Sequence, residues 1–240
     1  MIHVRRKAVL AIALALLLPA LVQAEDLTIV STVTTGKGAP LTSTQYLSTD
    51  KVRTSDGETD TILDLASGRL LIMNNRKKEY SETTLAEIKA AMQQLEASMA
   101  GNPIMEKMMG KVPEISVTRG TAPRKVAGYD TEHYVLSMGD NFRSEVWAAP
   151  ALPLPTQYFD ARSAVYALMG PVGKRLEKMG DEMRKIKGFP LATSTSMKIA
   201  IMKQDSTAEA TEVRKGPIPA SAFTPPPGFK KVEAPFQKNR

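Results

Sequence analysis

Cysteine is absent from the chain. That excludes disulfides, thiolate-ligated metals, Cys-His nucleophilic catalysis and a lipid anchor on cysteine. Histidine is nearly absent, with only His3 and His133. Zinc sites of ordinary type therefore lack ligands, and a Ser-His-Asp triad has His133 alone to draw on. Aromatic residues make up 5% of the chain and include a single tryptophan, Trp147. The formal charge is only +7, and no stripe of alternating arginine and aromatic residues occurs. Nucleic acid is therefore not an expected partner. Long apolar runs are scarce as well. Residues 8–18 form an unbroken one, too short for a membrane span of about 20 residues.

That run is flanked in a characteristic way. Arg5, Arg6 and Lys7 precede it, Pro19 ends any helix in it, and Val22-Gln23-Ala24 supplies the small-x-small pattern that signal peptidase reads. Residues 1–24 are expected to be a signal peptide. The mature chain then begins at Glu25 and works as a soluble protein in the periplasm or outside the cell. Arg5-Arg6 invites a twin-arginine route, whereas the leucine-rich core suits general secretion. Processing leaves 216 residues with a formal charge of +4, enough for one sizeable domain.

Between residues 27 and 80 the pattern is strand-like. Leu27-Thr28-Ile29-Val30-Ser31-Thr32-Val33 alternates apolar with small polar residues. Further strands are expected at 42–47, 51–55, 59–65, 69–74 and 78–80, with Asp56-Gly57 as a hairpin turn. The period then changes. Thr83 or Thr84 caps a helix, with Glu87 three residues after Thr84 as in a capping box. Leu85, Ile88, Met92, Leu95 and Met99 recur at spacings of three and four. Gly101-Asn102-Pro103 ends this helix, and a shorter one follows at 104–109. Strands return at 116–119, 129–138 and 142–149. Helical stretches are expected at 157–169 and 172–187, and a hairpin at 191–215 turning at Gln204-Asp205-Ser206. The tail, 217–240, is proline-rich and expected to be mostly extended. The order implies an α+β fold, mainly β: a curved antiparallel sheet, an incomplete barrel, with helices covering its concave face.

Catalytic motifs are weak. Ser48-Thr49-Asp50-Lys51 has the S-x-x-K spacing, but that chemistry needs a helix and these residues read as a turn. Gly170-Pro171-Val172-Gly173-Lys174 has its glycines too close for a phosphate loop, and Arg175 stands where a magnesium-binding hydroxyl belongs. Asp56, Glu58 and Asp60 alternate like calcium ligands without a closing glutamate, so a charged hairpin tip is the better account. His133 sits in a strand without partner motifs. The reading is a non-enzyme with no cofactor and no metal.

Two segments leave more than one reading open. Met92, Met99, Met105, Met108 and Met109 place five of thirteen methionines within 18 residues. They suit a surface that accepts hydrophobic partners of variable shape, a packed core, or copper(I). The 172–187 stretch puts Val172, Leu176, Met179, Met183 and Ile186 on one face among many basic residues. Such a helix either rests on anionic lipid or covers the core.

Tyr46-Leu47-Ser48-Thr49-Asp50-Lys51-Val52-Arg53, Ile62-Leu63-Asp64-Leu65, Ala127-Gly128-Tyr129-Asp130-Thr131-Glu132-His133-Tyr134, Glu145-Val146-Trp147 and Phe223-Thr224-Pro225-Pro226-Pro227-Gly228-Phe229 stand in this order. The pattern resembles a family of exported bacterial proteins of unknown function, similar in fold to the periplasmic lipoprotein carriers LolA and LolB. The resemblance implies an incomplete barrel, covered by helices, around a hydrophobic cavity. Two functions stand from the sequence. One is a carrier or sensor holding a lipid, acyl chain or other hydrophobe, with Leu85, Ile88, Met92, Leu95, Met99 and Trp147 lining the site. The other is a structural or protein-interaction module of the cell envelope, with an envelope protein or membrane surface as partner.

Overall fold

The computed structural model describes residues 25–99, 114–154, 158–159, 180–199 and 202–234. The expected signal peptide, the helix at 104–109 and the Gly170–Lys174 region lie outside them, as does most of the helical sequence between 157 and 179.

Six strands come first: β1 (Leu27–Thr35), β2 (Leu41–Leu47), β3 (Lys51–Ser55), β4 (Thr59–Asp64), β5 (Arg69–Asn74) and β6 (Glu79–Thr84). Each pairs antiparallel with its sequence neighbour. The β3–β4 turn forms at Asp56-Gly57, where Gly57 takes φ +87°, a value that favours glycine. Asp56 Oδ1 accepts from the Glu58 and Thr59 amides at 2.9 and 2.7 Å, which fixes the turn. Helix α1 (Leu85–Met99) follows directly. Its capping box forms as the spacing predicts: the Glu87 amide donates to Thr84 Oγ1 at 3.1 Å, and the Thr84 amide donates to Glu87 Oε2 at 2.9 Å.

The second half supplies β7 (Ile115–Arg119), β8 (Arg124–Val126), β9 (Tyr129–Met138), β10 (Phe142–Ala149), β11 (Phe189–Ile199) and β12 (Met202–Lys215). A short 3₁₀ turn at Ala220–Phe223 leads to β13 (Lys230–Val232). The order across the sheet is β13-β6-β5-β4-β3-β2-β1-β12-β11-β10-β9-β7, with β8 pairing β9 off this path. β1 and β12 join the halves in the middle, and the sheet is open, with β13 and β7 at its two edges. This is the expected α+β fold, mainly β.

Two local expectations are corrected. The β11–β12 hairpin does not turn at Gln204-Asp205-Ser206. Those residues lie inside β12, opposite Met197, Ser196 and Thr195. β1 reaches along β12 as far as Ser206, and the Gly36 amide donates to the Asp205 carbonyl at 2.7 Å. Tertiary pairing thus satisfies the backbone where local sequence favours a turn. The tail is not simply extended either. Phe223 is buried against Ile62, Leu71 and Met73, and the 3₁₀ turn delivers it there. β13 then pairs parallel with β6, and Lys231 Nζ meets Glu82 at 2.7 Å. That lysine blunts the exposed sheet edge.

Candidate functional site

Residues directly opposed across an antiparallel pair share a face of the sheet, so the registers sort every strand. Leu63 and Leu70 pack on Ile88 of α1. From them the pairing runs through Val52, Leu47 and Leu27, with Ile29 opposite Gln45 and Val213. Beyond β1 it continues from Val33 through Ala208, Thr193 and Val146 to Tyr134. Met183 and Ile186, from the 180–187 segment, pack on that same face at its far end.

This α1 face has a distinct chemistry. Along the described strands its side chains are Leu, Ile, Val, Ala, Met, Phe, Tyr, Ser, Thr, Asn and Gln. Charges on it stand at Glu79 with Lys230, at Lys215, and in the corner group Arg119, Lys125, Asp130 and Glu132. The mid-strand charges fall on the other face, among them Arg53, Asp60, Glu145 and Glu209. The α1 face is apolar at its two ends and again in the middle, where Leu27, Ile29 and Leu47 are buried in one cluster with Leu152, Tyr158 and Phe189, and hydroxyl rows run beside these clusters. On one side of β1 a cross-strand row runs Gln45–Thr54–Thr61. On the other side it runs Thr35–Ser206–Thr195–Ser144. Ser144 and Thr195 share a hydrogen bond of 2.8 Å. Ser43 and Ser144 are buried, and the Gln45 amide oxygen is buried without a hydrogen-bond partner. At the β13 rim, Ile72, Ser81 and Val232 border a hollow of about 360 Å³.

Of the residues singled out from the sequence, Leu85 and Ile88 lie together here. Leu85 packs beside Gly68, and Ile88 is 1% exposed. Met92, Leu95 and Met99 belong to α1, and their side chains lie outside the described residues. Trp147 is elsewhere. It is opposed to His133 and Ala192 on the face away from α1, so it does not share a surface with the helix.

On that outer face the Trp147 ring stacks on His133 at 4.9 Å and 12°, and the Arg124 guanidinium lies 4.6 Å from its centroid. Glu209 grips Arg124 with two hydrogen bonds of 2.8 Å, which hold the Glu209 carboxyl below its usual range. His133 is 8% exposed and accepts the Ala122 amide at Nδ1, while Trp147 Nε1 donates to the Ala122 carbonyl at 2.8 Å. A Cβ on Gly120 would stand 2.0 Å from His133 Nδ1. Gly120→Ala should therefore force the imidazole off its stack and destabilise the fold by about 1–3 kcal/mol. With one tryptophan in the chain, its fluorescence reports the change. An unshifted spectrum with unchanged stability would refute this account.

The remaining sequence motifs take structural roles. Ser48 Oγ accepts the Lys51 amide at 3.1 Å in a turn, and Lys51 Nζ pairs with Asp50 at 2.7 Å. Asp60 separates from Asp56 and Glu58, turning inward to Arg53. Among the described residues no group of three or more His, Asp or Glu is placed to hold a metal ion. No described helix is long and apolar enough to cross a membrane.

Residues 41–229 match a family described as Domain of unknown function (DUF4412). Among solved structures, MucB in complex with MucA(peri) is 10% identical with a TM-score of 0.38, covering 88% of this chain and 58% of that one. The MucA/MucB complex from Pseudomonas aeruginosa is 9% identical with a TM-score of 0.36, covering 84% and 56%. A LolA superfamily protein from Nitrosomonas europaea is 10% identical with a TM-score of 0.22, covering 84% and 90%. The chain thus spans less than two thirds of the MucB chains it matches. No curated protein matches it in sequence.

Proposed function

The chain belongs to the family described as Domain of unknown function (DUF4412), and we propose that it is a non-enzymatic periplasmic protein that binds or carries a hydrophobic ligand on the α1 face of its sheet. One observation supports this above the others: the registers keep charge off this face from β1 to β5, and beside its apolar clusters they line up uncharged hydroxyl rows. A packed core needs no uncharged hydroxyl rows beside its clusters, whereas ligand sites combine apolar walls with a few polar groups. In this reading Leu85, Ile88, Met92, Leu95 and Met99 of α1 face the ligand. Trp147 takes no part. Export follows cleavage after Ala24. Native mass spectrometry of the protein purified from its own periplasm is expected to show a co-purifying lipid, and a chain that is always bare would count against the proposal.

A second reading has its own support. Ile88 is buried as fully as any core residue, as expected if α1 simply completes a structural or protein-interaction module. Alanine scanning along α1 separates the two. Ile88→Ala should cost about 2–5 kcal/mol under both readings. If the later turns line a ligand site, Met92→Ala and Met99→Ala should cost less than about 1.5 kcal/mol, below that core range, and should weaken binding of a fluorescent fatty-acid probe. Losses of core size at all three positions, with no probe bound by the wild type, would favour the module.

A further inference from the structure

Taking the binding reading as its basis, we infer that the ligand is an uncharged amphiphile whose head group donates a hydrogen bond to the Gln45 amide oxygen. That oxygen is buried and lacks an acceptor's partner. A carbonyl oxygen only accepts, so its complement is a hydroxyl or N–H. A buried polar atom left unpaired costs about 1–3 kcal/mol, which a ligand donor offsets.

The surroundings set both the charge and the apolar part. Gln45 stands between Ile29 and Thr54 in the register, with Thr61 next in the row. No lysine or arginine lies on the α1 face of β1, β2, β3 or β4, so an anionic head would lose its hydration without gaining a counter-charge from these strands. A cationic head fares no better, because those strands place no carboxylate on that face either. Neutral hydroxyls or amides instead find Gln45, Thr54 and Thr61. β4 lies two strand spacings from β2, roughly 10 Å. A chain leaving Gln45 therefore meets Leu63 and Leu70 beneath α1.

Competition against the neutral probe N-phenyl-1-naphthylamine on the mature chain tests this, using 1-monooleoylglycerol and oleate at pH 8. These competitors share one acyl chain and differ in the head. Monooleoylglycerol is expected to displace the probe at a concentration at least about tenfold lower than oleate. Gln45→Leu should erase most of that preference and raise the thermal midpoint of the ligand-free chain, because the unpaired oxygen is gone. Equal competition by the two, or an unchanged preference in Gln45→Leu, overturns the inference and leaves the binding reading intact. A wild type that binds neither probe nor competitor overturns both.

Discussion

Asp60→Ala should lower the unfolding free energy by about 3–5 kcal/mol, the loss expected when one partner of a buried ion pair is removed. Asp60 is 1% exposed. Its carboxylate takes the Arg53 guanidinium and the Asn75 side-chain amide, the latter at 3.0 Å. Arg53 also donates to the Ala222 carbonyl at 2.8 Å, and its Nε is already buried without a partner. Without Asp60 the cation would stay buried and uncompensated. Urea titrations at pH 7 measure the loss. Arg53→Met combined with Asp60→Leu should recover most of it, because apolar side chains of similar volume replace such pairs at little cost. A loss below about 1 kcal/mol would show that water reaches the pair.

The same carboxyl links stability to acidity. Burial alone would raise its pKa, but hydrogen bonds from Ser55, Arg53 and Asn75, with the Arg53 charge, outweigh burial and hold it below the ordinary aspartate value. A group depressed in the folded state stabilises fully above its unfolded pKa of about 3.9. That contribution is lost as pH falls through the folded value. Stability should therefore decline below about pH 4, and the double replacement should decline less steeply.

Phe223→Ala should cost about 3–5 kcal/mol, the range for truncating a buried phenylalanine. Its ring is the tail's apolar anchor, set on Ile62, Leu71 and Met73 with Ile218, Ala222 and Phe229 around it. Because Ala222 also receives Arg53, the change should couple with Asp60→Ala, and the two losses should not add. Limited trypsin digestion offers a second measurement, since a loosened tail presents Lys230 and Lys231. Retention of an intact tail would argue that β13 anchors it alone.

Local chemistry made much of this legible. Thr84 and Glu87 marked the start of α1, Asp56-Gly57 marked its turn, and alternation from Leu27 to Val33 marked β1. What escaped depends on partners distant in sequence. Asp60 reads as part of a charged hairpin tip until Arg53 is placed beside it. β8 and β13 are three residues each, too short to show a period. Trp147 is the instructive case. Arg143, Glu145 and Trp147 alternate with Phe142, Ser144 and Val146, so two charges already share the tryptophan's face. That parity was readable, but which side α1 covers required the register across β1 and β12.

The pairing of β1 with β12 also bears on assembly. β2–β6 are built from neighbours in sequence that close short loops, as are the β9–β10 and β11–β12 hairpins, whereas β10 meets β11 across residues 150–188. The central seam joins the first strand to the twelfth, Leu27 opposite Lys215. It therefore carries the largest loop-closure entropy and is expected to close after the local hairpins. Until then both halves expose a raw sheet edge, the condition in which strands recruit other chains. β12 enters that interval with Lys203, Asp205, Glu209, Glu212, Arg214 and Lys215 along its length. Such charge density keeps a waiting edge from pairing with the wrong strand.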